Sequence, residues 1–366
     1  MNSSFGRLAC VVGLALVVVA CAPAAPATRE AASAPPAAAT ARPAAPTAAA
    51  PATQPAPEPQ AVKLGTFFSL GAAPLLVAVE RGFLAEQGLD VTIERTGSAS
   101  EVMGFLGAGH LDVAAGGVSG ALYNAIARDV PLKVVAPLGL TGDSLERSLN
   151  FLVVRKDLYD GGVRNVGQLR GRKIAITGLG STNHWHLARQ LQAAGLGLDD
   201  VDVVDMTYPD MITALRTGAL DAAIMASPFD VQLKRDGITE MLVPNVAPGQ
   251  MVTVLMYGPP FMAEHPDAAR RFLVGYANAI RAIQREGLMA SENVPIYERY
   301  TGMKAEDLLI ATPPLFDPDL RIDAQPLLEY QQFLFNEKAV SYPTPLTEQK
   351  IVDRSFATYA LQHAAP

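Results

Sequence analysis

Along residues 61–256 the apolar positions fall into short blocks of two kinds. Runs of four to seven apolar or alternating residues, rich in Val, Ile and Leu, read as strands; longer blocks with apolar positions three and four apart read as helices. The first series predicts strands over 62–67, 89–94, 112–115 and 132–138, with helices around 74–87, from Ser98 and from Val118. After an apolar run at 151–154 the alternation restarts. Strands are predicted over 173–176, 202–205 and 221–225, with helices over 181–194 and 209–217. Strands alternating with helices predict an α/β fold built on mostly parallel sheets with helices on their faces. Beyond a strand at 252–256 the pattern turns helical. Residues 267–286 carry Phe272, Leu273, Tyr276, Ile280 and Ile283 at helical spacing, and 327–335 continues the theme.

The two series echo each other. The segment Leu106-Gly-Ala-Gly-His-Leu-Asp-Val-Ala-Ala115 aligns with Leu215-Arg-Thr-Gly-Ala-Leu-Asp-Ala-Ala-Ile224, sharing Leu, Gly, Leu, Asp and Ala. Upstream, Ser98 with Glu101 parallels Thr207 with Asp210, each a capping-box-like helix start. Gly109 and Gly218 stand where a left-handed residue would end those helices. Two lobes on one plan account for the echo. The first lobe is expected over 61–150 plus 256–366 and the second over 151–255, with a hinge at the crossings near Asn150 and Leu255.

The N-terminus has a different character. Residues 8–20 are uninterruptedly small or apolar after Arg7, too short to span a bilayer and suited to a signal-peptide core, which assigns 1–20 to a signal peptide. Val18-Val19-Ala20-Cys21 resembles the bacterial lipobox, in which the cysteine becomes the lipidated first residue. Residues 22–60 are dominated by Ala and Pro and contain no Leu, Ile, Met or aromatic residue. That composition offers nothing to offset the entropy of ordering, so 21–60 is expected to be a lipidated cysteine and tether.

Composition narrows the chemistry. The chain has 366 residues, a formal net charge of −7 and two cysteines, Cys10 and Cys21. The charge argues against nucleic acid as a partner. Without cysteine beyond Cys21, a disulfide scaffold, a thiolate metal site and a catalytic thiol are excluded from the predicted folded region. Gly178-Leu-Gly180-Ser-Thr-Asn183 lacks the third glycine of a dinucleotide fingerprint, and Gly117-Val-Ser119-Gly120 is no nucleophile elbow. His184 and His186 lie two apart on a predicted helix, on diverging faces, and cannot share one metal. Neither a metal nor a cofactor is expected, nor an enzyme.

Four segments carry a resemblance: Phe83-Leu-Ala-Glu-Gln-Gly-Leu-Asp-Val91, Gly107-Ala-Gly-His-Leu-Asp112-Val-Ala, Leu169-Arg-Gly-Arg-Lys-Ile-Ala175 and Ala214-Leu-Arg-Thr-Gly-Ala-Leu-Asp221-Ala-Ala. Together they resemble periplasmic substrate-binding proteins of ABC importers, in the group that binds nitrate, sulfonates, taurine and thiamine precursors. The likeness covers roughly residues 62–290. It implies a two-lobed periplasmic-binding-protein-like fold of type II that closes on a small molecule and delivers it to an ABC permease and its ATPase. It also implies an extracytoplasmic location, here with membrane attachment through the lipid, and a monomer. A pyrimidine synthase in the same group relies on a cysteine-rich iron loop, which this sequence lacks. A ligand-sensing module for a receptor is the other alternative.

In open α/β sheets, ligands lie at the carboxyl ends of strands, where free N–H groups at helix starts favour acceptors and anions. The corresponding junctions are Gly97-Ser98-Ala99-Ser100, Gly116-Gly117-Val118-Ser119, Gly180-Ser181-Thr182-Asn183 and Ala226-Ser227-Pro228, with Thr141 as a fifth. Ser and Thr also cap helices everywhere, so convergence of several junctions on one cleft carries the expectation. The candidate binding residues are Ser98, Gly117, Ser119, Thr141, Ser181, Thr182, Asn183 and Ser227, with Phe67, Phe68, Trp185, Tyr208 and Phe229 as aromatic faces. None of these junctions holds a Lys or Arg. The set therefore favours an organic ligand with an aromatic, heteroaromatic or sulfonate-like body over nitrate or bicarbonate, with the single tryptophan, Trp185, expected beside it.

Overall fold

The computed structural model describes residues 58–97, 99–142 and 150–365. The signal peptide, Cys21, nearly all of the tether and Ser98 lie outside the described residues.

Among the described residues, ten strands form two five-stranded sheets. In the first half, β1 (Gln60–Thr66), β2 (Leu89–Arg95), β3 (Val113–Gly116) and β4 (Lys133–Leu140) alternate with α1 (Ala73–Glu80), α2 (Ala99–Gly107) and α3 (Gly120–Ala127). The second half opens with β5 (Asn150–Arg155). It continues through β6 (Lys173–Ile176), α4 (Thr182–Ala193), β7 (Asp202–Asp205), α5 (Tyr208–Thr217), β8 (Ala222–Ala226), α6 (Phe229–Arg235) and β9 (Thr239–Val243). β10 (Met251–Tyr257) then returns to the first sheet, followed by α7 (Pro266–Glu286), α8 (Ala305–Ile310), α9 (Gln325–Asn336) and α10 (Ser355–His363).

The sheet orders are β2-β1-β3-β10-β4 and β7-β6-β8-β5-β9. Each has three parallel strands and then a strand running the other way: β10 pairs antiparallel with β3 and β4, and β5 with β8 and β9. Four of the five strands in each sheet run the same way, as expected of mostly parallel sheets, and the reversed strand makes each sheet mixed. The reversed strands are those that the chain forms as it crosses between halves, and apolar periodicity carries no strand direction. β9 went unforeseen because it is a short edge strand of largely half-buried residues. The helix expected around 74–87 ends at Glu80, before Gly82 at φ +82°. β10 places residues 251–255 in the first sheet, ahead of the expected lobe boundary at 255.

The echo holds at atomic level. Asp112 Oδ2 accepts the Lys63 N–H at 2.8 Å and Asp221 Oδ2 accepts the Lys173 N–H at 3.0 Å, each tying the third strand's start to the first. Gly109 and Gly218 have φ of +73° and +77°, the left-handed ends that follow α2 and α5. Two apolar clusters sandwich each sheet. In the first half α7 lies across the sheet, where the Tyr276 hydroxyl donates to the Pro137 carbonyl at 3.0 Å, while the Tyr257 hydroxyl on β10 donates to the Ala269 carbonyl of α7 at 2.7 Å.

The halves touch on both flanks of the cleft between them. On one flank Ser119 bridges Ser181 and the Gly120 N–H donates to the Gly180 carbonyl at 3.2 Å. On the other, the Leu70 N–H donates to the Ser227 carbonyl at 3.3 Å, and Arg235 of α6 is ion-paired with Asp307 of α8.

Candidate functional site

The carboxyl ends of β1, β2 and β3 face those of β6, β7 and β8 across two joined cavities. A smaller one, of about 50 Å³, lies among Phe67, Gly117, Asn150, Thr177, Ser181, Thr182 and Asn183. A larger one, of about 310 Å³, is bounded by Phe67, Phe68, Arg95, Thr96, Tyr208 and Phe229. Phe67, Thr177 and Tyr208 line both, so the two form one cleft with a narrow polar end and a wide aromatic end.

The polar end is built on the start of α4. Ser181 caps this helix, its Oγ accepting the His184 N–H, so the first-turn N–H groups of Thr182 and Asn183 have no intrahelical acceptor. Asn183 is the hub. Its Nδ2 donates to Thr177 Oγ1 at 2.7 Å, and its Oδ1 accepts from Asn150 Nδ2 at 3.0 Å. The Tyr208 hydroxyl bonds to Thr177 and Asn183; burial raises its pKa and these bonds partly oppose the rise. The phenol therefore stays neutral. From the opposite half Gly117 comes so close that a Cβ there would sit 2.8 Å from Thr182 Oγ1, so even alanine would force the Thr182 hydroxyl to shift. This end presents neutral donors and a helix N-terminus, which suits a compact anionic head group.

Aromatic rings wall the wide end. Tyr208 and Phe229 stack at 5.0 Å between centroids and 21° between planes. Phe68 meets Tyr300 edge-on at 5.0 Å and carries the Arg95 guanidinium over its face at 5.2 Å. Arg95 lies outside the junctions expected to supply the ligand contacts, none of which holds a Lys or Arg, and adds a cation to the cleft. It is the last residue of β2, and only the pairing of β2 at the sheet edge brings it to the rim. Thr96 beside it was missed as well, as were Asn150 and Thr177. A polar residue at the carboxyl end of every predicted strand, rather than at Gly/Ser junctions alone, is the signal that would have found them.

Eight of the expected residues line the cleft: Phe67, Phe68, Gly117, Ser181, Thr182, Asn183, Tyr208 and Phe229. Four do not. Trp185 is buried in an apolar cluster with Met251, Val254 and Tyr330, its ring 5.8 Å from that of Tyr330, because it sits on the face of α4 turned to the first half. Ser227 Oγ donates to the Thr312 carbonyl at 2.9 Å and Thr141 Oγ1 to the Gln250 carbonyl at 3.1 Å, so both tie connecting segments together. Ser119 is buried at the flank where it bridges Ser181.

Paired mixed sheets with a cleft at their carboxyl ends, followed by C-terminal helices, are the architecture of the periplasmic binding proteins. Residues 55–293 match the model of the NMT1-like family, and the chain belongs to that family. Among its relatives, the taurine-binding periplasmic protein of Escherichia coli is 25% identical over 257 residues, covering 68% of this chain and 76% of that protein. The nitrate/nitrite-binding protein of Nostoc sp. is 25% identical over 244 residues, 62% of this chain; the match spans only 55% of that longer protein. The solved alkanesulfonate-binding protein of Xanthomonas axonopodis pv. citri, bound to MOPS, superposes with a TM-score of 0.64 at 18% identity, covering 82% of this chain and all of that one.

Proposed function

We propose that this chain is an extracytoplasmic solute-binding protein that captures a small organic anion and hands it to an ABC importer without chemical change. The observation that carries this reading is the two-ended cleft: a head-sized polar cavity of about 50 Å³ opening into an aromatic chamber of about 310 Å³. A sulfonate or carboxylate seated at the start of α4 would meet the free N–H groups and the Asn183 amide. Its planar or apolar body would lie between Phe68 and the Tyr208–Phe229 stack. Relatives that bind taurine and alkanesulfonate agree with such a head group. Ligand contacts to both halves would favour the closed arrangement, with the two crossing segments as the hinge. A lipid on Cys21 would hold this monomeric protein at the membrane beside its permease, which membrane fractionation of a Cys21→Ala protein tests.

Calorimetry with benzenesulfonate, taurine and nitrate tests the site. Benzenesulfonate should bind tightest and nitrate weakest. Asn183→Leu, which removes the hub of the donor network, should weaken benzenesulfonate about tenfold or more. Nitrate binding tightest, or an unchanged affinity in Asn183→Leu, would overturn the assignment.

A further inference from the structure

The wide end of the cleft holds two polar groups that a single head group at the start of α4 leaves unused. Arg95 stands on the rim with its guanidinium over Phe68 and forms no salt bridge with any described residue. Thr96, next to it, is 5% exposed, and its hydroxyl has no hydrogen-bond partner among the described residues. A buried hydroxyl without a partner costs free energy that a ligand oxygen could recover. The other polar groups of this rim are already engaged. Thr177 Oγ1 accepts from Asn183 Nδ2 at 2.7 Å, and Thr207 Oγ1 donates to Asp210 Oδ2 at 2.7 Å. Between the Arg95 rim and the donors of α4 lie the rings of Phe67 and Tyr208, which line both cavities.

We infer that the cleft selects organic dianions: a planar body with one acidic group at the start of α4 and a second, a carboxylate or sulfonate, on Arg95 and Thr96. This rests on the cleft being the ligand site. It adds a fixed cation at the end opposite the neutral donors, so a ligand charged at one end satisfies only half of the cleft. A guanidinium offers paired donors to a carboxylate, and its aromatic support leaves those edges free.

Titration calorimetry with benzenesulfonate and 4-sulfobenzoate, which differ by one carboxylate at the far end of the ring, decides it. The protein should bind 4-sulfobenzoate about tenfold more tightly, a preference that shrinks as sodium chloride rises. Arg95→Gln should collapse the ratio of the two affinities to about one, while Arg95→Lys, which keeps the charge, retains part of it. Thr96→Val should lower the ratio by a smaller factor. Equal affinities in the unaltered protein, or an undiminished ratio in Arg95→Gln, would overturn the dianion assignment while leaving the cleft as the site. Failure of both probes to bind at millimolar concentration would overturn the site and the assignment together.

Discussion

The two sheets share one plan and differ in what they contribute. Strand order, the reversed fourth strand, the Asp112 and Asp221 ties and the left-handed Gly109 and Gly218 recur in both. The cover differs. The first sheet lies under the 21-residue α7 and further C-terminal helices, whereas among the described residues no helix on the second exceeds the 12 residues of α4. The cleft chemistry differs too: each half gives aromatic faces, Phe67 and Phe68 from the first and Tyr208 and Phe229 from the second, but the cation Arg95 comes from the first half and the amide and hydroxyl network from the second. A shared topology thus brings strand ends to one place, and the side chains at those ends decide what is bound there.

The largest expected difference between the halves is in acid. His186 on α4 is 1% exposed, and burial, with a lesser contribution from Arg189, lowers its pKa to about 3. It is neutral when folded and takes up a proton on unfolding below its ordinary value of 6.5, so the stability present above pH 6.5 is lost as pH falls toward 3. The loss is roughly 4 kcal/mol over that window. Asp230 acts oppositely. Burial raises its pKa from 3.8 to about 6, so it favours the folded state as pH falls through that narrower range, offsetting more than half of the loss and leaving a net cost of about 1 kcal/mol at pH 4. Hydrogen exchange at pH 4 should therefore show β6–β8 opening before β1–β3, and His186→Phe should flatten the acid limb of thermal melts. Uniform opening of both sheets would mean that the first half gives no independent support.

A smaller effect tests the shared plan itself. Asp112→Ala and Asp221→Ala each remove the acceptor for a strand N–H and should each cost about 1–2 kcal/mol in urea unfolding. Asp221 should lie at the upper end, since Arg155 is also within 3.8 Å of it. A cost for one and none for the other would break the equivalence.

The smallest effect is at the helix ends. Gly109→Ala and Gly218→Ala should each cost about 1 kcal/mol, because both glycines have positive φ. A Cβ at 109 would meet the Pro260 ring at 3.1 Å, whereas one at 218 would meet the movable tip of Arg155 at the same distance. Thermal melts should rank Gly109→Ala as the costlier.

The sequence by itself determined the α/β class, the strands over 173–176 and 202–205, the two-fold echo and the C-terminal helix over 267–286. Local periodicity, caps and glycine stops act within one turn or strand and are written in neighbouring residues. It also marked Asn183, Tyr208 and Phe67, which stand at strand ends and helix starts. Tertiary structure alone decided that β5 and β10 run against their neighbours, because direction depends on which half a crossing strand joins. It also turned Trp185 away from the cleft and brought Arg95 into it. Both residues sit on correctly anticipated elements, yet the face each presents is fixed by packing against segments far away in the chain: Tyr330 for Trp185, and Phe68 with the β1–β2 pairing for Arg95. A pattern of apolar positions records that a side chain is covered or free, and not by what.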